Sequence, residues 1–299
     1  MSGAYLLLPL LGLLWTLVAV VIGEARQRNV SIRLFYFSGA VVAAAALWGL
    51  ALALGLEDLT APQYRGAVVC FAAAAVANGL GQALTMYNLS RGGRALAYSI
   101  PQLAFLLPYF WSVCFLNQRP TWAAAGGLAL IAAAVMFLAA KKQSGGAASS
   151  SLPLVRVLLS LGAMVVVGTG HILMMIPTQF AAERTLAPWT GACVLQSANA
   201  GFFLIWALLG RQFSLAELRR AGKFGIGWGL CAAASFCVLL PALRLLGERH
   251  QAGIVFPVGC GMVILCYTLF TVIRYREKQT WSQFLAYGAL VAGIFLIRA

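Results

Sequence analysis

Ten long apolar stretches, separated by short polar connections, make up almost the whole chain. Each is long enough to cross the hydrocarbon core of a bilayer, because a helix needs roughly 20 apolar residues to do so. The pattern therefore predicts an all-α integral membrane protein with ten transmembrane helices. The expected spans are approximately 3–23, 32–55, 64–88, 95–117, 121–140, 153–180, 188–210, 222–246, 250–274 and 279–298.

A local pattern near the middle of the chain recurs near its end. In the first half, an apolar stretch with Pro101 near its start is followed by Arg119-Pro-Thr-Trp122, which opens the next stretch. In the second half, a stretch with Pro257 near its start is followed in the same order by Lys278-Gln-Thr-Trp281. This repetition indicates an internal duplication.

The polar run between the fifth and sixth stretches divides the duplicated halves. Its sequence, Lys-Lys-Gln-Ser-Gly-Gly-Ala-Ala-Ser-Ser-Ser over 141–151, has the composition of a flexible linker. We therefore expect a first five-helix repeat over 1–140, a flexible cytoplasmic linker over 141–152 and a second five-helix repeat over 153–299. Because five is an odd number, the two halves would cross the membrane in opposite senses, as two inverted repeats.

Composition agrees with a membrane protein. The 299 residues are 62% hydrophobic and only 9% charged, whereas soluble domains carry about 25% charged residues. The spans leave no room for a soluble catalytic domain. The net charge of +14 comes from basic residues at the ends of the stretches, which is typical of membrane topology signals rather than of nucleic-acid binding.

The distribution of Lys and Arg predicts the orientation. Fifteen of the 21 basic residues lie in the odd-numbered connections, and six lie in the even-numbered connections and at the termini. The positive-inside rule then places the odd-numbered connections in the cytoplasm and both termini on the non-cytoplasmic side. We expect a multi-pass protein of the bacterial inner (plasma) membrane.

Ten short spans in a five-plus-five duplication, with a proline-bearing fourth helix and a basic-Thr-Trp start to the fifth, resemble the drug/metabolite transporter superfamily of the EamA type. The stretch from Asn78 to Leu89 is also similar to the third helix of the sugar and rhamnose transporters of that superfamily. The resemblance implies a central cavity lined by the first, third, fourth, sixth, eighth and ninth helices, with the fifth and tenth in support.

Polar side chains within the spans are candidates for substrate binding. Asn78 and Gln82 share a face of the third helix with Thr85, and Tyr98 and Gln102 lie one turn apart around Pro101 on the fourth. Neutral amides suit polar uncharged ligands. The alternative for each is a hydrogen bond between helices that serves packing alone.

His171 lies well inside the sixth span and is a candidate for proton coupling or substrate contact, because histidine titrates near neutral pH. The alternative is a neutral histidine bonded to a helix carbonyl. Tyr267 is one of several aromatic residues that could form a substrate cage, although such residues more often face lipid or fill a core.

The acidic residues and cysteines exclude other chemistry. All seven Asp and Glu residues lie at span ends or in connections, and all seven cysteines lie inside spans. We therefore expect no membrane-embedded carboxylate for a cationic drug, no metal site, no cofactor and no disulfide framework.

The sequence favours a secondary active transporter that moves a small polar neutral or zwitterionic metabolite by alternating access, and not an enzyme. Three alternatives stay open: a proton-coupled sugar importer of the same superfamily, a structural membrane protein without transport, and a membrane-embedded enzyme. The expected partners are a small-molecule substrate and the lipid bilayer, with no nucleic acid, and formation of a homodimer is left open.

Overall fold

The protein is described here from a computed structural model, which covers residues 3–90, 100–143, 154–210, 214–276 and 279–298. Within these ranges the secondary structure is helical and contains no strand, so the expected all-α class is confirmed. The helices are α1 (Leu7–Gln27), α2 (Ile32–Leu54), α3 (Arg65–Ser90), α4 (Leu106–Phe115), α5 (Trp122–Gln143), α6 (Leu154–Met175), α7 (Pro188–Leu209), α8 (Leu215–Gly247), α9 (Val255–Tyr275) and α10 (Trp281–Arg298).

Short 3₁₀ turns extend several of these helices. They precede α1 at Gly3–Leu6, α4 at Leu103–Phe105 and α9 at Ala252–Ile254, and they follow α6 at Ile176–Gln179. Two more lie in connections, at Pro62–Tyr64 and Ala182–Arg184. Residues 100–102, at the edge of the described part, are also helical.

The length and apolar surface of the helices make the chain a multi-pass integral membrane protein. Seven helical segments in the described part are long and apolar enough to cross a membrane, and three shorter apolar helices cover Ile100–Phe115, Trp122–Leu138 and Trp281–Ile297. Many large apolar side chains on these helices are exposed, as expected where lipid replaces water. Trp122 and Trp281 are 95% and 80% exposed at the first residues of α5 and α10, the usual place of interfacial anchors.

Helix α8 begins earlier than the apolar pattern predicts. It starts at Leu215, not near residue 222, and runs for 33 residues. The Ser214 hydroxyl caps it by accepting a hydrogen bond from the Glu217 backbone N–H at 3.1 Å. The first two turns are amphipathic and basic, so a search for continuous apolar residues overlooks them.

The helices pack in a defined set of pairs. The most extensive contacts join α2 with α7 and α8, α3 with α6 and α7, α1 with α8 and α9, α5 with α10, and α4 with α6. Helix α7 also contacts α8. Every pair except α7–α8 joins the part of the chain before residue 141 to the part after residue 153, so most of the packing lies between the halves.

Glycines allow the closest of these approaches. A Cβ atom at Gly225 of α8 would lie 3.0 Å from the backbone nitrogen of Gly39 in α2, and one at Gly39 would lie 3.1 Å from the Gly225 carbonyl oxygen. A Cβ atom at Gly127 of α5 would lie 2.5 Å from the carbonyl oxygen of Gly293 in α10. In bilayers such close backbone contact supplies much of the packing energy between helices.

The expected linker lies mostly outside the described residues. Helix α5 runs through Gln143, so the first three residues of the expected linker are helical, and the next described residue is Leu154. Next to this gap the Asn88 side-chain amide of α3 donates to the carbonyl oxygen of Arg156 at 3.0 Å and to the Ser160 hydroxyl at 2.8 Å, both in α6. These bonds fix the start of α6 against the end of α3.

Candidate functional site

His171 stacks on an aromatic ring at the meeting point of α6 and α9. Its imidazole lies 4.2 Å from the Phe256 ring, centroid to centroid, at an interplanar angle of 16°. Phe256 is fully buried in the first turn of α9. The Nδ1 atom of His171 is buried and has no hydrogen-bond partner among the described residues. The ring is therefore held by packing, and one of its polar atoms is left without a partner among the described residues.

Asn78 lies beside His171 because α3 and α6 approach closely. A Cβ atom at Gly170 would lie 2.8 Å from Asn78 Oδ1 and 3.1 Å from the Ala74 carbonyl oxygen. One turn further along α3, Gly81 packs directly against Val167. The two helices thus bring the side chain of Asn78 against the backbone next to His171.

Helix α4 completes the cluster on its other side. A Cβ atom at Gly168 would lie 2.8 Å from the Leu107 side chain and 3.0 Å from the Ala104 carbonyl oxygen. Gln102 is half-buried and directly precedes the 3₁₀ turn at Leu103–Phe105. Asn78 and Gln82 on α3 and Gln102 before α4 therefore belong to two segments that both pack against α6, the helix that carries His171.

Five buried polar atoms on α3, α4 and α6 have no hydrogen-bond partner among the described residues: Gln82 Oε1, Asn88 Oδ1, Tyr109 Oη, Trp111 Nε1 and His171 Nδ1. Buried polar groups in proteins are normally paired, because an unpaired one costs about 1–3 kcal/mol. Unpaired amide, phenol and imidazole groups offer both donors and acceptors to a polar solute. We define as the central cluster Asn78, Gln82, Tyr109 and His171, which lie on α6 and on the helices α3 and α4 that pack against it, together with Phe256, which stacks on His171.

Three of the predicted site residues are not placed in the central cluster: Gln102, Tyr267 and Tyr98. Tyr267 lies eleven residues beyond Phe256 on α9, a rise of about 16 Å along the helix. Its hydroxyl oxygen lies 3.3 Å from where a Cβ atom of Gly23 would be, near the end of α1. Tyr98 lies outside the described residues.

A second polar cluster joins the halves at the end of α4. The Ser112 hydroxyl donates to Gln118 Oε1 at 2.7 Å, and the Gly253 backbone N–H donates to the same oxygen at 3.2 Å. Ser112 is fully buried and Gln118 is only 6% exposed. One glutamine therefore connects α4 to the 3₁₀ turn that starts α9.

Two further contacts strengthen this connection. The Tyr5 hydroxyl, near the N-terminus, donates a short hydrogen bond to Gln251 Oε1. The His250 Nδ1 atom lies 3.2 Å from the Leu116 carbonyl oxygen. We call Tyr5, Ser112, Gln118, His250 and Gln251, with Gly253, the terminal-side latch, because it lies on the face of the molecule that holds the N-terminus.

The sequence did not single out the terminal-side latch. Ser112 is one polar residue in an apolar stretch, and Gln118 and Gln251 stand in connections that look like ordinary solvated turns. The left-handed backbone at Asn117 (φ 55°) and His250 (φ 56°) folds the connections back over the helix ends. The residue types at these two positions are a weak sequence signal for a tight turn, because Asn and His adopt positive φ more readily than most residues.

A third contact between the halves lies on the same face. Glu57 accepts a hydrogen bond from the Ala187 backbone N–H at 2.7 Å and a short one from the Thr190 hydroxyl. The carboxylate thereby caps the N-terminus of α7, where the helix dipole favours negative charge. The Trp189 indole N–H donates to the Gly55 carbonyl oxygen at 3.2 Å.

No metal centre is built by the described residues, since no three His, Cys, Asp or Glu side chains come together among them. The cysteines are free thiols. The chemistry available in the central cluster is hydrogen bonding by neutral groups.

We expect Gln118→Leu to destabilise the protein by about 2–6 kcal/mol. The substitution leaves the buried Ser112 hydroxyl and the Gly253 N–H without an acceptor, at about 1–3 kcal/mol for each group. Thermal unfolding of the purified protein measures the change. Gln283→Leu is the matched control, because Gln283 accepts from Thr280 at an exposed helix start, and equal destabilisation by both variants would contradict the role assigned to Gln118.

Comparison with known proteins adds support for the fold. No family model and no curated protein matches the chain. A solved structure described only as "Crystal structure of protein" matches it with a TM-score of 0.74, over 99% of this chain and 97% of the other, at 16% sequence identity. Similarity at this identity extends to the fold alone. The whole chain therefore adopts a fold that also occurs in a protein of closely similar length.

Proposed function

We propose that the protein is a secondary active transporter that carries a small polar neutral or zwitterionic solute by alternating access. The observation that carries the proposal is the pairing of the helices. Each helix of the first half corresponds to the helix five places later, so α1 corresponds to α6 and α2 to α7. When every helix in a contacting pair is replaced by its counterpart, α1–α8 becomes α6–α3, α1–α9 becomes α6–α4, and α2–α8 becomes α7–α3, and all of these pairs are in contact. The pairs α2–α7 and α5–α10 map onto themselves.

This correspondence supports two inverted repeats of five helices. Two halves with the same helix packing and opposite orientation in the membrane can exchange conformations, which gives an inward-open and an outward-open state of similar free energy. Inverted-repeat transporters expose one binding site to either side of the membrane in this way. The α7–α8 contact has no equally extensive counterpart between α2 and α3. The correspondence between the halves therefore holds for the most extensive helix pairs and not for every contact.

Matching details at the fourth and fifth helices of each half add support. A left-handed residue ends the fourth helix in both halves, Asn117 after α4 and Arg276 after α9. In each case a tryptophan opens the next helix five residues later, at Trp122 and Trp281. The repeated proline and Thr-Trp pattern thus coincides with a repeated backbone geometry. We propose on these grounds that the chain is a member of the drug/metabolite transporter superfamily.

The central cluster supports a neutral polar solute as cargo. Its unpaired atoms belong to amide, phenol and imidazole groups, and no carboxylate contributes to it. A cationic drug buried at this position would lack a counter-charge, which costs far more than burying a neutral group. In this proposal Asn78, Gln82 and Tyr109 hold the solute, and His171 binds it or carries a coupled proton.

The orientation proposed from the sequence is supported by the positions of the basic residues, several of which come together at one end of the helices. Arg33, at the start of α2, donates to the Trp206 carbonyl oxygen near the end of α7 at 3.4 Å, and Arg220 of α8 donates to the Arg28 carbonyl oxygen at 2.6 Å. The ends of α1 and α7 and the starts of α2 and α8 therefore form one basic face, which we assign to the cytoplasm. A reporter fused after Ala299 should be active only outside the cytoplasm, and cytoplasmic activity would contradict this assignment.

The test of function is flux into proteoliposomes made with the purified full chain. Amino acids, sugars, nucleosides and amphiphilic amines are supplied in turn, with and without a pH gradient. We expect saturable uptake of a solute from one of the first three classes and none of the amines. If a pH gradient accelerates uptake, His171→Gln should remove the acceleration. Absence of flux for every class would contradict transport, and unchanged acceleration in His171→Gln would contradict proton coupling through His171.

A further inference from the structure

A basic cavity lies on the face of the molecule opposite the terminal-side latch. It has a volume of about 710 Å³, and its lining consists of Arg28, Ala216, Arg219, Arg220, Lys223 and Phe224. Four of these six side chains are cationic and none is acidic. The cavity lies between the end of α1 and the start of α8.

The cations are held close together by specific contacts. The Arg28 guanidinium lies over the Phe224 ring, 5.6 Å from its centroid. Arg220 donates to the Arg28 carbonyl oxygen at 2.6 Å. Arg219 and Lys223 lie one turn apart on α8, a spacing at which like charges repel each other. The nearest acids in sequence, Glu24 and Glu217, do not line the cavity. The geometry therefore concentrates positive charge that an anion would neutralise.

The position of the cavity relative to the bilayer indicates where that anion comes from. Helix α8 has 33 residues, a length of about 50 Å, whereas the hydrocarbon core is about 30 Å thick. At least one end must therefore extend beyond this core, and Arg219, Arg220 and Lys223 place the start of α8 in the headgroup layer. Leu215 is 65% exposed and Ile226 is 52% exposed, so apolar side chains that face lipid lie both before and after the basic turns.

We propose that this cavity binds the phosphate of an anionic glycerophospholipid headgroup. Guanidinium groups bind phosphate oxygens through paired charge-assisted hydrogen bonds, and basic pockets at the cytoplasmic ends of transmembrane helices suit such headgroups. The cavity is separate from the central cluster, because no residue of α3, α4, α6 or α9 lines it. The inference does not depend on the solute or on transport.

The experiment measures thermal stabilisation of the purified full chain in detergent by three probes. Dioctanoyl phosphatidylglycerol should stabilise it saturably, and dioctanoyl phosphatidylcholine should not, because its headgroup carries no net charge. Inorganic phosphate tests a soluble anion as the source. Stabilisation by phosphate at the same concentrations as the anionic lipid would overturn the lipid assignment, and equal stabilisation by the two lipids would overturn the site.

Paired variants locate the binding. Arg219→Gln combined with Lys223→Gln should weaken the affinity for dioctanoyl phosphatidylglycerol about thirtyfold. Arg119→Gln combined with Arg184→Gln is the matched control, because both arginines are exposed and lie outside the cavity, and it should leave the affinity unchanged. Equal effects of the two double variants would overturn the proposal. If the double variant does not fold, the single variants Arg219→Gln and Lys223→Gln replace it. Each should bind dioctanoyl phosphatidylglycerol about fivefold more weakly than the unmodified protein, and unchanged affinity in both would overturn the proposal.

Discussion

Gln82→Leu should abolish most solute uptake without lowering the stability of the protein. Gln82 Oε1 is buried and has no hydrogen-bond partner among the described residues. Leucine has a similar size and lacks the unpaired oxygen, so the free energy of unfolding should stay unchanged or rise by about 1 kcal/mol. A bound solute, by contrast, loses the hydrogen bond that the glutamine supplies, and its affinity should fall by a factor of about 10–100.

Asn88→Leu, on the same helix as Gln82, should lower the stability of the protein and leave its solute affinity unchanged. Asn88 is fully buried and its amide donates to both Arg156 and Ser160. Removing these bonds should destabilise the protein by about 1–3 kcal/mol, while the remaining folded protein keeps its solute affinity. Thermal unfolding and uptake, measured in the same lipids, separate the two. A destabilised Gln82→Leu protein with unchanged affinity would identify Gln82 as a packing residue and contradict its place in the site.

The second large effect concerns the pair of helices outside the central cluster. Gly127→Ala should destabilise the protein by about 1–3 kcal/mol, since the added Cβ atom would lie 2.5 Å from the Gly293 carbonyl oxygen and 2.8 Å from the Ile297 backbone nitrogen. Both contacts are with backbone, which cannot rotate aside. Helices α5 and α10 would have to separate to make room.

The neighbouring glycine is the control. A Cβ atom at Gly126 meets nothing within 4 Å, so Gly126→Ala adds a methyl group without a clash. Alanine also favours a helix over glycine by about 0.5–1 kcal/mol, so this variant should be neutral or stabilising. Equal melting temperatures for the two variants would contradict the close approach of α5 and α10.

The positions of most helices could be predicted from the sequence because lipid imposes a simple rule. A stretch that crosses the bilayer must be apolar over its length, so its limits are visible without knowledge of its neighbours. Helix α2, expected over 32–55, is Ile32–Leu54 in the structure. The rule fails where a helix continues into the headgroup layer, and this is why the start of α8 at Leu215 was placed near residue 222.

The candidate site was less accessible to sequence reasoning. The spacing of Asn78 and Gln82 places them on one face of a helix, but only packing decides that this face meets α6. Helical spacing also gives no information about Tyr267. Its distance from the central cluster depends on which part of α9 packs near His171, and that is set by the packing of the two halves. The latch residue Gln118 could not be identified at all, because its partner Gly253 lies 135 residues away.

The central proposal is transport by alternating access, which requires the two halves to separate at the terminal-side latch during each cycle. Ser112→Cys combined with Gly253→Cys tests it directly. A Cβ atom at Gly253 would lie 2.7 Å from the Ser112 Cβ atom, so the two backbones must move apart by about 1 Å to reach the separation found in disulfides. Wild-type protein, with its seven cysteines, and the two single variants control for other reactions.

The decisive measurement is solute flux by this double variant before oxidation, after oxidation and after reduction. Alternating access predicts that oxidation stops flux in the double variant alone and that a reducing agent restores it. Flux that continues unchanged, with the disulfide verified by mass spectrometry, would contradict the account, because the halves would then not need to separate at this face.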